Sequence, residues 1–124
     1  MIIGIGTDLV EVNRIRLKFQ SNADLKKHVF SAGEIKYCEE KKNPYESFAV
    51  RFAAKEAFLK AVGKGMNLTL HLNQIEVVED SQGCPSLKIA PGLAAIIPDF
   101  KLFKIFLSMT HTTEYGQAVV VIDK

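Results

Sequence analysis

Two carboxylates, a lysine one turn from one of them and a histidine among hydroxyl groups could do chemistry in this sequence. Asp8 ends an apolar run over residues 2–8, and Glu56 sits in a long Ala-, Phe-, Leu-, Lys- and Glu-rich stretch with Lys60 four positions on. Magnesium characteristically takes one or two protein carboxylates and leaves the rest of its octahedron to water and phosphate oxygens. Asp8 and Glu56 are the pair available for that. Each also has a plain structural reading. Asp8 followed by Glu11 has the form of a helix start with its N-cap, and Glu56 with Lys60 makes an i, i+4 pair worth about 0.3–0.5 kcal/mol on an exposed helix. His111 lies in Ser108-Met109-Thr110-His111-Thr112-Thr113. It can join Ser108 and Thr110 in holding phosphate, or serve the fold alone. Gly63-Lys64-Gly65 could approach phosphates, but it follows a helix and lacks the P-loop pattern.

The elements that must position these residues follow from periodicity. Residues 2–8, with glycines at 4 and 6, predict a buried strand whose glycines let something approach its backbone. Leu9, Val12, Ile15 and Phe19 then recur at helical spacing. Ser31 with Glu34 predicts a capped helix to about Lys41, and a turn at Lys42-Asn43-Pro44 leads into a long helix over residues 45–62, which Gly63-Lys64-Gly65 ends. On that helix Val50, Ala53, Ala54, Ala57, Phe58 and Ala61 fill one apolar arc, and Phe48, Phe52, Leu59 and Val62 form a second. Arg51 and Lys55 flank the second stripe on one side, Glu56 and Lys60 on the other. Charges interleaved with large apolar groups predict a central helix whose charged tips enter a shared site. Strands over 74–78 and 86–90 flank the turn 80–83, a short helix follows Pro91, and strands over 104–110 and 116–122 close the chain. The order β-α-α-α-β-β-α-β-β predicts a single α+β domain, residues 1–124, with an antiparallel sheet packed on the long helix.

Composition narrows the function classes. The 124 residues are 48% hydrophobic and 24% charged, as in a globular chain. A net charge of +2 argues against wholesale coating of nucleic acid. An RNA-binding module built on residues 14–27 is the main rival reading, but the aromatic and basic interleaving of RNA-binding sheets is missing. The positive charge is local: Arg14, Arg16, Lys18, Lys26 and Lys27 stand against Asp24 alone between Asn13 and His28. That stretch should attract an acidic partner. Cys38 and Cys84 form no CxxC and read as reduced thiols of a cytoplasmic protein. They cannot build a zinc site with three scattered histidines. No apolar run of about 18 residues predicts a membrane span, and the N-terminus lacks a basic leader.

Four blocks in order, GIGTDLVEVNRI at 4–15, FSAGEI at 30–35, RFAAKEAFLKAVGKG at 51–65 and SMTHTTEYGQAVVVI at 108–122, resemble the holo-acyl-carrier-protein synthases. These are the small bacterial branch of the 4′-phosphopantetheinyl transferases. The resemblance implies transfer of the phosphopantetheine arm of coenzyme A to a serine of an acidic acyl carrier protein in fatty acid biosynthesis. It implies Asp8 and Glu56 as magnesium ligands, Glu56 as the base or its neighbour, and Lys60 at the leaving phosphate. Lys42, Arg51, Gly63, Ser108, Thr110 and His111 match positions that hold coenzyme A. Arg14, Arg16 and Lys18, with Leu17 as an apolar anchor, match the docking surface for the carrier. The family also implies a homotrimer whose sites are shared between subunits. The chain departs from the family's pattern at Lys64 and at Asn43-Pro44.

Overall fold

The computed structural model describes residues 1–63 and 69–124; Lys64 and Gly65 of the expected helix-ending turn lie outside the described residues. Strand β1 (Ile2–Glu11) continues past Asp8, because antiparallel pairing with β5 (Tyr115–Asp123) runs on to Glu11 opposite Tyr115. The first helix, α1 (Val12–Ser21), therefore starts later than predicted, with Glu11 at its N-cap and no side-chain cap. Asp8 is not a helix cap. The backbone groups of residues 8–11 are spent on the sheet, and Leu9 belongs to the strand rather than to the helix stripe. Val12, Ile15 and Phe19 form the buried face of α1. Helix α2 (Leu25–Val29), too short to show a period, was not predicted.

Helix α3 (Ala32–Glu39) carries the expected capping box: the Ser31 hydroxyl accepts from the Glu34 amide and the Glu34 carboxylate accepts from the Ser31 amide. Helix α4 (Pro44–Val62) has Pro44 in its first turn and stops at Gly63, whose φ of 105° suits glycine. A hairpin of β2 (Ile75–Glu79) and β3 (Pro85–Ile89) forms its own two-stranded sheet. Short helix α5 (Pro91–Ala94) precedes β4 (Lys104–His111), and the main sheet has the antiparallel order β1-β5-β4. The α+β architecture with a long central helix is the one predicted.

What lets α4 lie on the sheet is the absence of side chains under it. A Cβ on Gly4 would fall inside the Ala61 carbonyl, and one on Gly6 inside the Ala57 carbonyl. On β5 a Cβ at Gly116 would come within 2.7 Å of the Val50 amide nitrogen. Strand glycines facing helix alanines thus allow direct backbone approach. Beside this seam Phe19, Phe30 and Phe48 pack ring on ring, with centroids 5.0–5.7 Å apart.

Contrary to the expectation from the sequence, the charges of α4 do not enter one shared site. Lys55 is fully buried and bonds Glu34 at 2.7 Å, the Leu72 carbonyl at 2.9 Å and the Ile75 carbonyl. Glu34 in turn accepts from the Val77 amide at 3.0 Å. Burial pulls the Lys55 pKa down while Glu34 opposes it, so the pair is a structural knot linking α3, α4 and β2. Burial likewise pushes the Cys38 thiol up to about 12. The face of the main sheet turned away from α4 is apolar and open: Ile5 is 64% exposed, Leu9 63% and Phe106 58%.

Three outcomes check this packing. Gly6→Ala should destabilise the fold by about 3 kcal/mol in denaturant titration, since the clash is with backbone. Gly83→Ala, at φ 81° with open space around it, should cost only about 1 kcal/mol. Lys55→Met should cost about 3–5 kcal/mol, because it strands the buried Glu34 carboxylate.

Candidate active site

The close seat of α4 on β1, Gly4 under Ala61 and Gly6 under Ala57, brings the far end of β1 against the middle of the helix, with Asp8 within reach of Lys60. Asp8, Leu9 and Val10 of β1, Arg14, Ile15 and Lys18 of α1, and Phe52 and Glu56 of α4 line one cleft of about 250 Å³. Lys60 donates to the Asp8 carboxylate at 3.0 Å and to the Thr7 carbonyl at 2.9 Å. The i, i+4 alternative is thus replaced by a longer-range pair: among the described residues, Lys60 bonds Asp8 and not Glu56. Glu56 is pushed above the ordinary carboxylate range by burial and by the nearby Asp8 charge, with Lys60 offsetting part of the effect.

Two apposed carboxylates at that cost are the donor set a hard divalent cation relieves. Among the described residues no third His, Cys, Asp or Glu joins them. The donors therefore fit magnesium, whose remaining positions belong to phosphate and water. Arg14 and Lys18, four apart on α1, both face this cleft, and Leu17 between them is 58% exposed. Arg16 turns the other way. It stacks 5.5 Å from the Tyr45 ring centroid and lines a small cleft with Lys42, Asn43, Pro44 and Thr113.

A second, larger cleft of about 440 Å³ opens on the other side of α4. Its lining includes Arg51, Lys41, Glu46, Tyr37, Glu79 and His111. The Nδ1 of His111 lies 3.3 Å from Glu46. Arg51, only 4% exposed, pairs with Glu79 at 3.1 Å. Residues 51 and 56, five apart at about 100° each, point some 140° apart around the helix, so one chain holds two separate clusters.

The hydroxyl group of candidates is divided as well. Strand alternation places Ser108 and Thr110 on the open face, opposite Val119 and Gln117 of β5, while His111 reaches α4. Gly63 lines neither cleft; it terminates α4. Sequence reasoning missed Tyr37, Lys41, Glu46 and Glu79. Tyr37 and Lys41, at i and i+4 with an ammonium 4.4 Å from the ring centroid, carried a readable cation–π spacing. Glu79, reaching back from the hairpin, carried none.

This fold recurs in known proteins. A holo-[acyl-carrier-protein] synthase of Cytophaga hutchinsonii is 40% identical over 131 aligned residues, covering 100% of this chain and 99% of that one. The crystal structure of holo-[acyl-carrier-protein] synthase from Neisseria meningitidis superposes with a TM-score of 0.86 at 32% identity, covering both chains fully. A holo-(acyl-carrier-protein) synthase from Bacillus anthracis, in complex with CoA (3′,5′-ADP), gives 0.78 at 31% identity over 98% of this chain and 96% of that one. The family model described as the 4′-phosphopantetheinyl transferase superfamily matches residues 4–120. On this evidence the chain belongs to the 4′-phosphopantetheinyl transferase superfamily.

Proposed function

We propose that this protein moves the 4′-phosphopantetheine arm of coenzyme A onto a serine hydroxyl of an apo acyl carrier protein, releasing adenosine 3′,5′-bisphosphate. The observation that carries the reading is the apposition of Asp8 and Glu56, with Lys60 on Asp8, at the foot of the basic helix α1. Membership of the superfamily and the names of its relatives supply the substrate class.

Asp8 and Glu56 would hold magnesium, which when bound neutralises the charge of the pyrophosphate and orients it. Phosphoryl transfer asks for positioning and charge stabilisation more than for covalent catalysis. Glu56 accepts the proton of the attacking serine directly or through a water. Lys60 offsets charge on the departing phosphate. Arg51 and His111, with Lys41, hold the phosphates of coenzyme A on the other side of α4, with Lys42 at the edge in the small cleft that shares Asn43 and Glu46 with it. Arg14 and Lys18 form a cationic rim for an acidic carrier, with Leu17 as its apolar contact and Arg16 at the margin. Such charges act mainly on encounter rate.

Both clusters need the same coenzyme, yet they face different sides of α4. A homotrimer in which neighbouring chains each supply one cluster resolves this. The open sheet face supports it, because rows such as Ile5–Val121–Phe106 cross all three strands and leave large apolar side chains exposed side by side. Ser108 and Thr110 lie on that face and would then meet the coenzyme at the subunit boundary. The two free thiols suit the reducing cytoplasm, where fatty acid synthesis would supply the carrier.

The direct test is incubation with coenzyme A, magnesium and apo carrier, read by intact mass. A gain of one phosphopantetheine is expected, and it should vanish with a chelator and return with magnesium. Asp8→Ala and Glu56→Ala should each lower transfer at least about 100-fold while the thermal midpoint stays within a few degrees. An unmodified carrier across several candidates would overturn the reading. Phe106→Glu should shift the mass in light scattering from trimer to monomer, with transfer falling in parallel.

A further inference from the structure

Arg51 sits deep in the coenzyme cleft, yet its own surroundings hold it more firmly than a ligand alone would require. Its guanidinium carbon lies 4.1 Å from the Tyr37 ring centroid, and its Nη2 is 3.1 Å from Glu79. The Tyr37 hydroxyl donates to the same Glu79 carboxylate, at 3.0 Å and 3.1 Å from its two oxygens. The Nε of Arg51 is buried without a partner among the described residues. Tyr37 comes from α3, Arg51 from α4 and Glu79 from the end of β2, so three elements converge on one guanidinium. Gly83, in the turn after Glu79, and Pro85, at the start of β3, line the same cleft.

A carboxylate here is unexpected on charge alone. A cleft that takes phosphates gains nothing electrostatically from Glu79 beside its arginine. The cost is understandable if the acid fixes the orientation of the guanidinium, whose planar fork must be aimed to grip an anion. We propose that Tyr37 and Glu79 are positioning residues for coenzyme A: they stack and clamp Arg51 so that it meets the anionic coenzyme already oriented. The inference rests on the reading that this cleft holds coenzyme A. It adds a determinant of affinity in residues that do not themselves contact the reacting atoms.

The sign of the effect separates positioning from simple electrostatics. Deleting the Glu79 charge should tighten an anion if charge alone mattered; if Glu79 positions Arg51, it should weaken coenzyme binding. With the trimer and magnesium present, Glu79→Gln should raise the KM for coenzyme A about tenfold, the scale of one charge-assisted contact. Tyr37→Phe, which keeps the stacked ring and loses the hydroxyl, should raise it about fivefold. In both variants kcat and the KM for the carrier should stay near wild type. Direct calorimetric titration with coenzyme A should show the same loss. Tighter or unchanged coenzyme binding in Glu79→Gln would overturn the proposal, as would an equal loss in kcat for both variants. Arg51→Ala separates this failure from failure of the underlying reading. If it weakens coenzyme binding while the other two do not, positioning alone is wrong; if it does not, the cleft assignment falls and the proposal with it.

Discussion

The rest of the structure depends on how closely α4 lies on the sheet. Gly4 and Gly6 of β1 and Gly116 of β5 remove the Cβ atoms that would hold the helix off, and Ala57 and Ala61 answer them from above. A helix seated on larger side chains would stand several ångströms further away. At that distance Lys60 could not reach the Thr7 carbonyl and the Asp8 carboxylate together. Nor would Glu56 feel the Asp8 charge that raises its proton affinity. Chemistry at this cleft is a consequence of packing along the seam.

Close seating also explains how one helix serves three electrostatic settings. Lys55 spends its charge inward on Glu34 and on two carbonyls, a knot that fixes α3 and β2 against α4. Arg51 points to the larger cleft, while Glu56 and Lys60 point to β1. The buried knot stabilises little relative to an apolar replacement, but removing one partner is expensive. Its effect is therefore to fix which side of α4 faces which neighbour, and so to decide where Arg51 and Glu56 emerge.

Much of this was legible in the sequence. The capping box at Ser31 and Glu34, the long helix, the glycines at 4 and 6 as points of close approach and the antiparallel closing strands all follow local rules of period, cap and turn. The start of α1 was misread because Asp8 and Glu11 satisfy a local capping pattern, while long-range pairing with Gln117 and Tyr115 claims the same backbone. Lys55 was misread for a related reason. Periodicity placed it beside Arg51, but only the fold shows that Glu34 and the Leu72 and Ile75 carbonyls await it. Glu79 was invisible because its partners, Tyr37 and Arg51, are distant in sequence. The four matched blocks marked Asp8, Glu56 and His111 as belonging together, and a single chain holds them in two clusters.

On the proposed function neither cleft is a complete site by itself, and assembly would join the Asp8–Glu56 cluster of one chain to the Arg51–His111 cluster of its neighbour. The most direct measurement mixes two inactive proteins, Glu56→Ala and His111→Ala, under conditions where native mass spectrometry confirms subunit exchange. Joining across subunits predicts that the mixed trimers regain phosphopantetheine transfer that neither parent shows, because some boundaries receive both intact clusters. Confirmed mixed trimers that remain as inactive as their parents would contradict it.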